Sequence, residues 1–370
     1  MTQVALVRQD VRVPQVVPAV QDVQEGAAAV VAAETEEHKR FTIQWHITER
    51  CNCHCLHCYQ EEVRTESTAT QLEQTHNEIQ SFLKCRPGII TITGGEPLLH
   101  PGFFNLLAKL EQPFGILSNG TLIDPAMASR LAEHKPSFIQ VSIEGREKTH
   151  DSIRGRGSFR AAVEGIKNLV RSKHRVLISF TAHQRNYREL PAVARLGRKL
   201  GADKVWVDRL IPAGSGNALQ GLAPDQNREL FSLMRKSQVA MDRALQFLAG
   251  GQPYRCQAGR SLMAILPNGD VLPCRRMPIV AGNLMQNTLE EIYQQDIMQN
   301  LRQDSGAKCS GCLYQQICQG GLRCLAYALT GSPFAPDPGC WIANSIQEGQ
   351  EKAVSPMPAI IVPKSWLRRW

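Results

Sequence analysis

The sequence has no long hydrophobic run. Nothing in it approaches the ~18–20 consecutive apolar residues that a membrane span requires, so no membrane partner is expected. The first residues, Met1-Thr2-Gln3-Val4-Ala5-Leu6-Val7-Arg8, lack the extended apolar core of a secretory signal, and a cytoplasmic location is expected. There is no aromatic–basic platform and no recognition-helix pattern, so no nucleic-acid partner is expected either. The formal charge of +8 is consistent with basic residues spread over solvated faces, or with positive potential that attracts an acidic partner. No internal repeat is present.

What remains is an ordinary globular composition, 43% hydrophobic and 21% charged over 370 residues. That is enough chain for one large domain and a smaller one. Against this background stand 12 cysteines, nearly all in two clusters. In a chain without a signal, such clusters favour metal binding over disulfides.

The first cluster is Cys51-Asn52-Cys53-His54-Cys55-Leu56-His57-Cys58-Tyr59. Cys51, Cys55 and Cys58 are spaced so that one loop wraps three thiolates around a soft centre, zinc or iron–sulfur. Read as zinc, the loop is a knuckle completed by Cys53, His54 or His57. Read as an iron–sulfur cluster, three thiolates leave one iron open for a substrate or cofactor. The loop follows a strand-like run, Phe41–Ile47. A second motif, Thr93-Gly94-Gly95-Glu96-Pro97, follows another such run, Ile89–Ile92.

Further strand-like runs are expected at Gly115–Leu117, Phe138–Ile143, Arg175–Thr181 and Lys204–Asp208. Helical patterns lie between them. The spacing of Phe159, Val163, Ile166 and Leu169 puts one apolar stripe on one face. Six strands alternating with helices predict a parallel sheet of βα units, curled into a partial or full barrel. Reactive groups in such barrels gather at the C-terminal ends of the strands. Both motifs fall there. Asp225–Leu248 reads as one long amphipathic helix, broken by Gly250-Gly251-Gln252-Pro253. Cys85 stands apart and reads as a buried core thiol.

The Cys51-x3-Cys55-x2-Cys58 loop followed by Gly-Gly-Glu-Pro resembles the radical S-adenosylmethionine (SAM) superfamily, over about residues 41–345. The resemblance implies an α/β fold, a partial (β/α)6 TIM-like barrel. It implies a 4Fe–4S cluster on Cys51, Cys55 and Cys58, with SAM chelating the open iron. One electron would then cleave SAM to methionine and a 5′-deoxyadenosyl radical, which abstracts a hydrogen from the substrate. Cys53 does not fit the family spacing and reads as a packed or free thiol. In the family the Gly94-Gly95-Glu96-Pro97 turn contacts the SAM amino group. Asn119, in Ser118-Asn119-Gly120, closes the third strand. Ser142 is assigned to the SAM ribose or carboxylate, against the alternative of a helix cap. Arg154 matches an arginine that pairs with the SAM carboxylate, against the alternative of a surface ion pair. Glu144 stands where relatives often have Asp. Arg209 and Pro212 end the sixth strand, another position used near the cofactor.

The second cluster is Cys256, Gly269-x4-Cys274, Cys309-x2-Cys312-x5-Cys318, Cys324 and Cys340. It resembles the SPASM module, a C-terminal extension that binds two auxiliary iron–sulfur clusters. The fourth position of the central run is Leu322 here, and Cys324 reads as the displaced ligand. The resemblance implies one cluster on Cys309, Cys312, Cys318 and Cys340, and another on Cys256, Cys274 and Cys324. The competing reading is a zinc-stapled domain. The expected organisation is a weakly structured segment 1–38, a radical SAM barrel 39–223, a linking helix 224–249, a cysteine-rich SPASM domain 250–345 and a tail 346–370.

Enzymes with this layout mostly modify peptides or proteins. The expected function is a maturase acting on a leader-bearing ribosomal peptide, fed by an external flavodoxin- or ferredoxin-type electron donor. Alternatives are small-molecule enzymes of tetrapyrrole or redox-cofactor synthesis, a sulfatase-maturase-like enzyme, and a non-catalytic metal scaffold.

Overall fold

The computed structural model describes residues 40–60, 65–240, 244–249, 254–304, 309, 312 and 314–342. The expected lead-in 1–38, the break at 250–253 and the tail 346–370 lie outside the described residues.

All six expected strands form: β1 (Phe41–His46), β2 (Gly88–Thr93), β3 (Phe114–Ser118), β4 (Phe138–Ser142), β5 (Val176–Ala182) and β6 (Lys204–Arg209). Each pairs in parallel with the next. The crossovers carry α1 (Ala69–Leu83), α2 (Phe103–Leu107), α3 (Pro125–Glu133), α4 (Glu147–Arg154), α5 (Ser158–Arg171) and α6 (Leu190–Leu200). Alternation along each strand decides the layers. Ile43, Trp45, Ile90, Ile92, Ile116, Ile139, Val141, Ile178 and Phe180 are fully buried in one core with the helices. Gln44, Gln140, Ser142 and Ser179, on the opposite face, are only half-buried. That face lines the lumen of an open (β/α)6 barrel, where these polar side chains share the register with Leu117, Leu177 and Trp206. The stripe on α5 packs as its spacing requires, with Ile166 and Leu169 fully buried.

The barrel does not close by β1 pairing with β6. The sheet order is β6-β5-β4-β3-β2-β1-β7-β8-β9. β7 (Leu262–Ile265), β8 (Asp270–Leu272) and β9 (Gly282–Asn283) come from the cysteine-rich module, and β7 lies parallel on β1. The module thus covers the barrel's β1 edge. These strands were missing from the sequence reading, although Asn268-Gly269 between apolar runs is a hairpin signal. Gly269 takes φ +89° in that turn.

Two expectations are corrected. Asp225–Leu248 is not one helix: α7 (Pro224–Lys236) ends at Ser237, and a short 3₁₀ segment, Gln246–Ala249, follows. Gln238 (φ 56°) and Leu245 (φ 68°) turn the chain in left-handed conformations. The apolar periodicity persists because Leu230, Met234, Val239 and Leu245 all reach the same core from two separate segments. Cys85 is exposed, not buried; it lies just past α1, where the chain leaves the core. The module continues through α8 (Leu289–Tyr293), α9 (Asp296–Gln303), α10 (Gln315–Cys318) and α11 (Arg323–Thr330). Among the described residues, no helix is long and apolar enough to cross a membrane.

Candidate cofactor and metal sites

The cysteine loop leaves β1 and is held against the turn after β2 by backbone contacts. The amide of Gly95 donates to the Thr48 carbonyl at 2.8 Å, and that of Glu96 to the Arg50 carbonyl at 2.8 Å. This explains both glycines. A Cβ on Gly94 (φ +151°) would sit 2.2 Å from the Thr48 carbonyl oxygen, and one on Gly95 2.3 Å from that of Arg50. Those contacts are to backbone, which cannot swing away. Gly95→Ala is therefore expected to push the turn off the cysteine loop. The predicted result is loss of at least half the loop's iron after reconstitution, read by metal analysis against the wild-type protein.

Glu96 is fully buried, and its oxygens are spent on this chain. One accepts from Ser118 Oγ (2.9 Å) and the Leu98 amide (3.3 Å), the other from the Asn119 amide (2.7 Å). Burial pushes its carboxyl up to about 7, against those three hydrogen bonds. Glu96 thus ties the end of β2 to the end of β3. Asn119, set in this way, turns its Nδ2 to Asn52 Oδ1 at 2.8 Å and to Cys51 Sγ at 3.9 Å. Pro97 begins a short 3₁₀ turn capped by Glu96.

Two of the loop's thiols, Cys51 and Cys55, are biased toward ionisation, the form that ligates metal. Hydrogen bonding from the Cys53 thiol is the largest cause: it brings Cys51 down to about 6 and Cys55 down to about 7, against burial. The Cys53 amide (3.4 Å) and Asn119 add to this at Cys51, and Arg154 at Cys55, where its Nη1 lies 3.7 Å from Sγ. Burial raises Cys58. Cys53 is a free thiol, as expected, and stands between Cys51 and Cys55. His54 is exposed. His57 is buried, its Nε2 turned to Arg154 Nη2 at 3.3 Å and Glu144 at 3.5 Å.

Arg154 ends α4 and is largely buried rather than part of an open surface ion pair. Its Nε and Nη2 donate to Glu144 Oε1 at 3.1 and 2.7 Å. The other Glu144 oxygen accepts from the Thr181 amide at 2.8 Å. Burial favours the neutral acid, but the contacts with His57, Arg154 and Thr181 outweigh it and hold Glu144 below the usual range. Burial holds His57 down to about 4, so its ring is neutral. One carboxylate reaches both an arginine and the next strand. Ser142 Oγ lies 3.2 Å from Ser179 Oγ, across the β4–β5 register; it caps no helix.

The later cysteines assemble in two groups. Cys274 and Cys324 are buried and pack with Cys256, and each of these thiols disfavours ionisation of Cys324. Cys309, Cys312 and Cys340 do the same to Cys318, which is raised chiefly by burial. Arg209 does not point to the cysteine loop. It is buried at the end of β6 in a bidentate pair with Asp337, at 2.9 and 2.5 Å. Asp208 pairs with Arg276. Asp208, Arg276 and Asp337 were not singled out from the sequence; only contacts 68 residues apart (Asp208–Arg276) and 128 residues apart (Arg209–Asp337) give them a role. All 12 cysteines are free, and among the described residues no group of three or more His, Cys, Asp or Glu side chains is arranged around a single metal ion.

Residues 45–197 match the radical SAM superfamily. Residues 256–313 match the SPASM family, described as an iron–sulfur cluster-binding domain. The chain carries a radical SAM domain followed by a SPASM domain. It is a radical SAM enzyme, and its cofactors are 4Fe–4S clusters and SAM. Among curated proteins it is 27% identical over 337 residues to an AdoMet-dependent heme synthase of Methanosarcina barkeri, covering 80% of this chain and 95% of the relative. It is 28% identical over 344 residues to the mycofactocin maturase MftC of Mycolicibacterium smegmatis, covering 86% of each. Among solved structures, Streptococcus suis SuiB bound to S-adenosylmethionine shares the fold, with TM-score 0.68 at 19% identity over 87% of this chain and 82% of SuiB. SuiB bound to its precursor peptide SuiA gives TM-score 0.66 at 18% identity, over 90% of this chain and 83% of SuiB.

Proposed function

We propose that this radical SAM–SPASM enzyme modifies a ribosomally made peptide, forming a thioether, carbon–carbon or related oxidative crosslink. The observation that carries this reading is a lumen face that sets polar side chains among the apolar Leu117, Leu177 and Trp206. Gln44, Gln140, Ser142 and Ser179 line it half-buried, and a peptide backbone brings amides and carbonyls that need such partners. The match to a peptide maturase over 86% of both chains supports it.

Cys51, Cys55 and Cys58 are proposed to hold the SAM-binding cluster, with Cys256, Cys274 and Cys324 and then Cys309, Cys312, Cys318 and Cys340 at the auxiliary clusters. When bound, cluster and SAM supply a one-electron cleavage of SAM to methionine and a 5′-deoxyadenosyl radical able to take a substrate hydrogen. The chain's own residues then bind, orient and exclude water. Gly94 and Gly95 let the β2 turn lie against the cysteine loop. Glu96 and Asn119 fix that turn. Glu144 anchors Arg154 beside Cys55, and Ser142 offers a hydroxyl on the lumen side. Twelve free thiols fit a reducing compartment, the cytoplasm, where a flavodoxin- or ferredoxin-type protein would deliver electrons.

A second reading is tetrapyrrole chemistry, favoured by the 95% coverage of the heme synthase relative. One experiment separates them. Reduced holoenzyme with SAM is offered short precursor peptides encoded beside its gene and, separately, Fe-coproporphyrin III. A peptide that loses hydrogen in step with 5′-deoxyadenosine, by mass spectrometry, supports the maturase. Turnover of the porphyrin alone overturns it.

A further inference from the structure

Arg275 and Arg276 follow Cys274 directly, and both reach from the SPASM module to the barrel. Arg276 is matched: its guanidinium pairs with Asp208, near the end of β6. Arg275 goes the other way, to β1. Its amide donates to Gln44 Oε1 at 3.4 Å. Its guanidinium carbon stands 5.9 Å from the centre of the Tyr59 ring. Among the described residues no carboxylate pairs with Arg275. Its Nε is enclosed and has no acceptor.

A second donor is open on the same stretch of lumen wall. His46 lies two residues beyond Gln44, on the same face of β1, and is 1% exposed. Gln60 Nε2 donates to its Nδ1 at 3.0 Å, so the proton of the neutral ring sits on Nε2. Burial, and then Arg275, hold this ring down to about 3, so it is uncharged at neutral pH. His46 Nε2 is enclosed and has no partner. Buried polar groups are nearly always matched, and an enclosed N–H without an acceptor is costly. Two such donors beside one unmatched cation call for an anionic acceptor. The unmatched charge is single. A carboxylate carries one negative charge and accepts well from a guanidinium; a phosphate monoester carries nearly two.

Resting on the proposed substrate-binding lumen, we infer that Arg275, with His46 as second donor, forms a subsite for a carboxylate group of the substrate. The group is an acidic side chain or C-terminus of a peptide, or a propionate of a tetrapyrrole. Arg275 comes from the module and His46 from the barrel, so the subsite exists only when the two are docked.

The test is anaerobic titration calorimetry on reconstituted, SAM-bound holoenzyme. One probe is the short precursor peptide encoded beside the gene, with its carboxylates free or amidated. The other is Fe-coproporphyrin III, as the free acid or its methyl ester. Wild-type protein should hold the carboxylate form of one probe more tightly than the neutral form. Arg275→Gln should weaken the carboxylate form at least about tenfold and leave the neutral form as it was. Arg275→Lys, which keeps the charge but not the fork, should recover part of the loss. His46→Phe should weaken the carboxylate form alone. Equal binding of both forms to wild type, or no effect of Arg275→Gln, would overturn the subsite. So would an equal loss for both forms, or loss of iron, because Arg275 would then only hold the loop after Cys274. A matching loss of SAM affinity would give the guanidinium to the cofactor and also contradict it. Carboxylate- and Arg275-dependent binding of the porphyrin alone supports the subsite and overturns the peptide reading. Peptide binding that ignores Arg275 does the reverse.

Discussion

Cys55→Ala is expected to abolish reductive cleavage of SAM, by at least a thousandfold in 5′-deoxyadenosine formed with dithionite. Cys55 is one of the loop's three proposed ligand thiols, and its thiolate is favoured by the Cys53 thiol and by Arg154. Two thiolates do not hold a cluster with one open iron. Iron should fall by about a third, since the auxiliary groups lie in a separate module and keep their own cysteines. Cys53→Ala tests the same geometry from the other side. Cys53 biases Cys51 and Cys55 toward their thiolates and is not a proposed ligand. Its loss should slow reconstitution yet leave cleavage within about tenfold of wild type, a thiol pKa change of one unit being a tenfold effect. Complete loss of cleavage in Cys53→Ala would instead make Cys53 a ligand.

Glu144→Ala is expected to cost about 3–5 kcal/mol, because it leaves the Arg154 charge buried without its partner. The measurement is urea unfolding of the metal-free, reduced protein. Glu144→Ala together with Arg154→Ala should recover part of that loss, since no charge is then stranded. Glu144→Asp keeps the charge but not the reach to both Arg154 and the Thr181 amide, and should cost less than Glu144→Ala. The pH dependence has a definite sign. The folded-state pKa of Glu144 lies below its usual value of 4.5. Its contribution to stability is therefore fully present above that value and lost as pH falls through the folded-state pKa. The wild-type advantage over Glu144→Ala should shrink in acid and stay constant from neutral pH upward.

How much of this was legible in the sequence varies by element. The six barrel strands were, because parallel strands covered by helices read as short apolar runs. The cysteine spacings were legible too, because spacing is a local property; which thiols share a centre is a proposal. β7 on β1 was not: its partner is more than two hundred residues away, and nothing local announces a parallel pairing. The split after Lys236 was hidden because two segments facing one core preserve the apolar period of a single helix. Cys85 failed for a simple reason: a lone thiol carries no burial signal of its own. At the site, Glu96 and Arg154 were found by motif, but their partners in the folded chain were not. Glu96 is spent on Ser118, Leu98 and Asn119, and Arg154 on Glu144. Arg209 was placed near the cofactor because it ends a barrel strand. The structure sends it to Asp337, which only the docked module supplies.

The measurement that bears most directly on the central claim is anaerobic reconstitution, with iron and sulfide counted and 5′-deoxyadenosine assayed under dithionite. Three 4Fe–4S clusters predict about 12 irons per chain together with SAM cleavage. Zinc in place of iron, with no 5′-deoxyadenosine formed, would contradict it and leave a metal-stapled scaffold.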